Sequence, residues 1–175
     1  MISHKHKCIF IHIPKCGGSS IELAIDGKDW WNKYPSTGNI KCEKHFSAKK
    51  CKHQYNKCWE EYTKFTFVRN PYSLQVSWYF YKNIYNNKIS FTEYVKNEKI
   101  NRISRYSHGF LDKEWNKIIP DILTSYEYIS TNGTVELDFI GKFENLQEDF
   151  DIICDKIGIP HQQLPHKNKT KHKHY

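Results

Sequence analysis

Polar and apolar positions divide the chain into short, well-punctuated elements. Residues 8–13, "CIFIHI", are β-branched and aromatic and close on Pro14, the pattern of a buried strand. Ile21, Leu23, Ala24 and Ile25 then fall at helical spacing ahead of Gly27, which predicts a short helix with a glycine stop. Residues 28–41 read as an irregular loop carrying Trp30, Trp31 and Tyr34. Residues 45–62 read as short helices with Trp59 and Tyr62 turned inward. A second buried strand, "KFTFV" at 64–68, breaks at Arg69-Asn70-Pro71. A strong helical pattern follows, with Pro71 in its first turn, where a missing N–H costs nothing.

Ser90 and Glu93 have capping-box spacing and predict a helix over 91–97, whereas 98–120 shows no clear period. Residues 126–140 read as a β-hairpin turning at Asn132-Gly133. Asn145 with Glu148 is a second capping box, opening a helix whose apolar face is Ile152, Ile153 and Ile157 and which stops at Gly158. The tail, 166–175, is basic and histidine-rich, either a disordered end or a loop that orders on an anion. No repeat or linker divides residues 1–175, so one domain is expected. Strands alternating with helices predict an α/β layer fold with a parallel sheet at its core. Ligands of such sheets bind beyond the carboxyl ends of the strands, where the turns 14–20 and 69–71 both fall.

Charge narrows the partners. The 175 residues carry 27 Lys+Arg against 19 Asp+Glu, a formal net charge of +8 before ten histidines are counted. That surplus favours anions: nucleic acid, acidic glycans, nucleotides or a membrane surface. No stretch approaches the ~20 continuous apolar residues of a membrane span, and the first fifteen residues have no leader-like cleavage site. A cytoplasmic protein is therefore expected. The cysteines (Cys8, Cys16, Cys42, Cys51, Cys58 and Cys154) lack the density of a disulfide scaffold and read as free thiols.

The first turn has the parts of a phosphate cradle. Gly17 and Gly18 allow close backbone approach, the following helix offers its first N–H groups, Ser19 and Ser20 add hydroxyls, and Lys15 adds a charge. The bland alternative is an ordinary strand–helix turn. The order differs from a nucleotide P-loop, because the lysine precedes the glycines, which disfavours a phosphotransferase. At the second turn, Arg69 and Ser77, eight residues apart, offer a guanidinium and a hydroxyl to a second phosphate, or else cap the sheet and pack a helix. A basic nucleic-acid-binding module is the other alternative, but its charges are scattered and no recognition signature accompanies them. Cys42, His45, Cys51, His53 and Cys58 are metal-ligand types, at spacings unlike a zinc finger, and no metal site is assigned. Strand alternation turns His12 away from Ile13, toward a packing role.

"FIHIPKCGGSSI" followed by "FTFVRNPYSLQVSWY" resembles the paired cofactor signatures of the PAPS-dependent sulfotransferases, in the carbohydrate branch that includes the uronosyl 2-O-sulfotransferases. "KHFSAKKC", "DFIGKFENLQEDFDIICDKIGI" and "LPHKNKTKH" match in order, so the likeness covers nearly the whole chain. It implies a P-loop-like three-layer α/β fold with a central, mainly parallel sheet flanked by helices. It implies 3′-phosphoadenosine 5′-phosphosulfate (PAPS) as sulfuryl donor, PAP as product, and a hydroxyl of a glycan or small molecule, anionic ones included, as acceptor; neither nucleic acid nor a membrane is implied. Lys15, Cys16, Gly17, Gly18, Ser19 and Ser20 correspond to the residues that hold the 5′-phosphosulfate, and Arg69 and Ser77 to those that hold the 3′-phosphate. Lys15 is implied to stabilise the leaving phosphate and His45 to act as general base. Cys16 replaces a threonine common in the family, which suggests sensitivity to thiol reagents. Trp30, Trp31, Arg102, Arg105 and His108 either touch the acceptor or pack, and Asn168, Lys169 and Thr170 are candidates to close over the nucleotide.

Overall fold

The computed structural model describes residues 1–27, 43–83, 90–96 and 124–165. The expectations for 28–41, 98–120 and the tail from 166 lie outside the described residues. Described residues fall into two compact units, the first drawn from Met1–Asn70 and Leu123–Lys167, the second from Pro71–Ile122.

The first unit opens with β1 (Ile2–Ser3), β2 (Cys8–Ile11), α1 (Gly18–Asp26), a 3-10 turn (Glu43–His45), α2 (Ala48–Gln54), α3 (Asn56–Trp59) and β3 (Thr63–Val68). The second unit contains α4 (Pro71–Asn83) and α5 (Phe91–Lys96). The first unit resumes with α6 (Ser125–Ile129), β4 (Ser130–Thr131), β5 (Thr134–Val135), β6 (Phe139–Lys142) and α7 (Leu146–Ile157). Its main sheet runs β1-β2-β3-β6; β2, β3 and β6 are parallel, and β1 joins antiparallel. The mainly parallel core read from the sequence is therefore present.

Register sets two unlike faces. Ile9 and Ile11 project to one side and pack with Ile2, Phe46, Ala48, Cys51 and Trp59. Phe10, on the other side, stacks on its neighbour Phe65 at 5.0 Å, and Phe65 meets Phe67 edge-on at 6.4 Å. The Phe67 ring lies so close over Gly141 that a Cβ there would come within 2.5 Å of it. Thr66, fully buried, satisfies its hydroxyl by donating to the Ile11 carbonyl at 2.7 Å. Each fully buried isoleucine contributes about 1.5–3 kcal/mol over an exposed one.

Two expectations are corrected by local chemistry. The turn at Asn132-Gly133 forms, with φ of 51° and 79°, but its strands are two residues each. Residues 126–129 are helical because Thr124 and Glu127 build a complete capping box, and Phe139 and Ile140 belong to the main sheet. In α7, Asn145 makes no side-chain cap; a 3-10 turn (Phe143–Asn145) leads in, and the Lys142 N–H donates to Asp149 instead. The buried face of α7 is Phe150, Ile153 and Cys154, while Ile152 is 44% exposed. Gly158 ends the helix at φ 68°, as expected.

In the second unit Ser90 caps α5 by accepting from the Glu93 N–H, and buried Tyr94 donates to Gln75 of α4. Trp59 is buried as expected and Tyr62 half-buried. Cys8, Cys16, Cys51, Cys58 and Cys154 are free thiols; Cys42 lies outside the described residues. No helix among the described residues is long and apolar enough to cross a membrane.

Candidate active site

The cradle begins where β2 gives out. The strand ends at Ile11, Pro14 follows, and Lys15 and Gly17 then take left-handed φ values of 68° and 82°. For glycine this is easy; for lysine it costs of order 1 kcal/mol, and such residues concentrate at functional sites. The two glycines are needed for different reasons. Gly17 needs its backbone angle, and a Cβ there would also come within 3.0 Å of the Leu146 side chain. Gly18 needs its missing side chain, because a Cβ would fall 2.2 Å from Nε2 of His12. From Gly18 the chain enters α1, whose first amides and dipole favour an anion at this end.

Two cations meet at this turn. Arg69, at the end of β3, donates from Nη1 to the Lys15 carbonyl at 3.1 Å, and its guanidinium lies 3.9 Å above the Phe143 ring centre. Burial, and after it the charge of Arg69, lowers the Lys15 ammonium from 10.5 to about 8. Placing two positive groups together is unfavourable unless an anion joins them, so these residues fit a phosphate ligand. The neighbouring Cys16 thiol is 1% exposed, faces the Pro14 carbonyl at 3.7 Å, and is pushed up to about 12 by burial. A buried, protonated thiol is inert, so the expected sensitivity to thiol reagents is withdrawn. Ser20 is buried, and Ser77 is buried on α4, in the second unit.

His45 comes to the same region from the 3-10 turn. Its Nδ1 lies 2.9 Å from the backbone carbonyl of His12, and a carbonyl only accepts, so Nδ1 carries the proton. In the neutral ring Nε2 then holds the lone pair. Burial, then the neighbouring His12, holds the ring's pKa well below its ordinary 6.5, which keeps it unprotonated near neutral pH. The Tyr128 hydroxyl donates to the His45 carbonyl and anchors the turn from α6.

Behind these groups lies a buried charge network that the sequence did not disclose. Glu22 of α1 is fully buried; its Oε1 accepts from His12 Nδ1 at 2.7 Å, and its Oε2 lies 3.2 Å from Lys44 Nζ, off the alignment of a hydrogen bond. Burial raises the Glu22 carboxyl, and Lys44 opposes that rise. Lys44, 1% exposed, also donates to Ser19 Oγ at 3.1 Å. His12 thus does more than pack. A signal did exist: Glu22 sits on the same inward arc of α1 as Ile21 and Ile25.

The metal-ligand types disperse. His45 is engaged with His12, Cys51 is buried with its thiol toward the Phe46 carbonyl, and His53 is exposed. Among the described residues no three metal-ligating side chains gather.

Comparison with known proteins supplies the family. The sulfotransferase family model matches residues 1–175. An uncharacterized protein of Archaeoglobus fulgidus is 34% identical over 110 residues, covering 61% of this chain and 76% of that protein. No solved structure matches.

Proposed function

This chain belongs to the sulfotransferase family, and from that premise we propose that it transfers a sulfuryl group from PAPS to a hydroxyl of a carbohydrate acceptor. We read its first unit as a P-loop-like layer fold with the cradle at the end of β2. PAPS, when bound, supplies the activated sulfuryl group and departs as PAP. Lys15, with the backbone from Cys16 to Ser20, holds the 5′-phosphosulfate end, and Arg69 holds the 3′-phosphate, a role that the sequence resemblance also gives to Ser77. The Lys15 ammonium neutralises the charge that grows on the leaving phosphate oxygen. His45 Nε2 accepts the proton of the acceptor hydroxyl, a role suited to a ring held neutral with Nδ1 already committed.

The observation that carries the reading is the meeting of Lys15 and Arg69. Residues far apart in sequence bring two cations to one turn at the ends of adjacent parallel strands. The family match gives no support to a nucleic-acid-binding module or a phosphotransferase. The test is a thermal-shift comparison of PAP with ADP, joined to transfer of labelled sulfur from PAPS onto a panel of oligosaccharides. PAP at about 100 times its dissociation constant stabilises the fold by about 2.7 kcal/mol, and ADP by clearly less. Equal shifts for the two nucleotides overturn the donor assignment.

A further inference from the structure

A carboxylate with no solvent exposure, joined to both halves of the candidate site, calls for a role. We propose that Glu22 is a positioning residue that locks the turn carrying His45 to the cradle carrying Ser19. The inference rests on the reading of His45 as the base.

The connections form a closed circuit. Glu22 binds the His12 ring at 2.7 Å, and the His12 carbonyl receives His45 Nδ1 at 2.9 Å. The residue before His45 is Lys44, whose ammonium returns to Glu22 at 3.2 Å and holds Ser19 at 3.1 Å. The His12 and His45 rings meet edge to face at 4.4 Å inside the circuit. The end of β2, the first turns of α1 and the 43–45 turn are thereby tied at one carboxylate. A three-residue 3-10 turn has little internal stability, so its orientation depends on such ties. The Lys44 bond also uses a lone pair of Ser19 Oγ and leaves that hydroxyl to serve as a donor.

A plain stabilising ion pair would make no such demand on geometry. Removing one partner of a buried pair leaves the other uncompensated whatever its purpose. Stability alone therefore does not decide the matter, and the orientation of His45 does. The groups that face His45 are His12 beside it, Lys44 on its own turn, Glu22 from α1 and the Tyr128 hydroxyl from α6.

The test reads the ring nitrogens of His45 by 15N NMR in the nucleotide-free protein, assigned with His45→Gln. The wild type shows a single Nδ1-protonated tautomer that stays neutral at about pH 6.5. In Glu22→Gln the ring samples both tautomers. Because Glu22→Gln strands the Lys44 ammonium, Glu22→Gln/Lys44→Met, which removes both charges, is read in parallel. In either folded variant the transfer rate falls about 10²-fold, the penalty of a base displaced by about 1 Å, with the acceptor KM unchanged. A folded variant that keeps the wild-type tautomer and rate overturns the proposal. The PAP-over-ADP preference of the wild type is a separate readout. Should it be absent while Glu22→Gln still frees His45, the donor reading falls and the positioning role stands.

Discussion

One segment, β2 with its extension to Ile13, feeds two regions built on opposite principles. Ile9, Ile11 and Ile13 are buried, and Ile9 and Ile11 enter a cluster with Phe46, Ala48, Cys51 and Trp59. His12, one residue past the strand, is buried in a network with Glu22, Lys44 and His45. The apolar region gains stability from area removed from water. The polar region gives up stability to hold charges and hydrogen-bonding groups in fixed relation, and the depressed Lys15 ammonium is the visible cost. Binding geometry and folding free energy are thus separable here, and mutations should report on one or the other.

The largest expected effect is on the base. His45→Gln should slow transfer by about 10²–10⁴-fold, the usual worth of a general base, while PAP affinity stays within a factor of a few. An equal loss of PAP affinity would move His45 from proton transfer to donor binding. Lys15→Met should follow, with about 10²–10³-fold less transfer and no PAP-induced thermal shift. Its free form should nevertheless melt higher than the wild type at neutral pH. Lys15 titrates at about 8 when folded against an ordinary 10.5, so the unfolded chain binds the extra proton between those values. The stability advantage of the methionine variant over the wild type should therefore shrink as pH rises across that window, a difference in which the buried thiols common to both cancel. On the apolar side, Ile11→Ala should cost about 2–5 kcal/mol in denaturant unfolding with PAP affinity of the folded fraction intact. If PAP affinity falls as well, the two regions are coupled and the contrast fails.

What was legible in the sequence follows the same divide. Strand ends, helix stops and the glycine turn are local signals, and β2, β3, α1 and the Gly158 stop lie where those signals put them. Gly18 was visible as a glycine, but its reason, the His12 ring, belongs to folded packing. The circuit through Glu22 joins partners ten, 25 and 33 positions apart, and no short-range period records such distances. Residues 126–129 imitate a strand because Tyr126 and Tyr128 flank the polar Glu127, but the capping pair Thr124 and Glu127 is the stronger cue. The inward arc of α7 takes only one of its two adjacent isoleucines. Phe150 and Cys154 decide for Ile153 and leave Ile152 outside.

The smallest effect is also the most selective for the cation pair at the cradle. In the free protein Lys15 loses its proton near pH 8 because burial and Arg69 both disfavour its charge. A phosphate beside it favours the charged form and raises that pKa, so the complex binds more protons than the free protein above about pH 8. PAP affinity should therefore be level between about pH 7 and 7.5 and then fall, at most tenfold per unit, until the pH passes the pKa of the complex. The nucleotide's own phosphates titrate near 6 and the Cys16 thiol at about 12, so neither enters that window. Calorimetric titration in buffers of different ionisation enthalpy reads the proton uptake directly. Lys15→Arg, which stays charged throughout, should bind PAP without the slope. Ile11→Ala, acting on the other side of the strand, should keep it. A wild-type affinity level from about pH 7.5 to 9.5 would mean that no phosphate approaches Lys15, and the contrast between the two regions would lose its functional half.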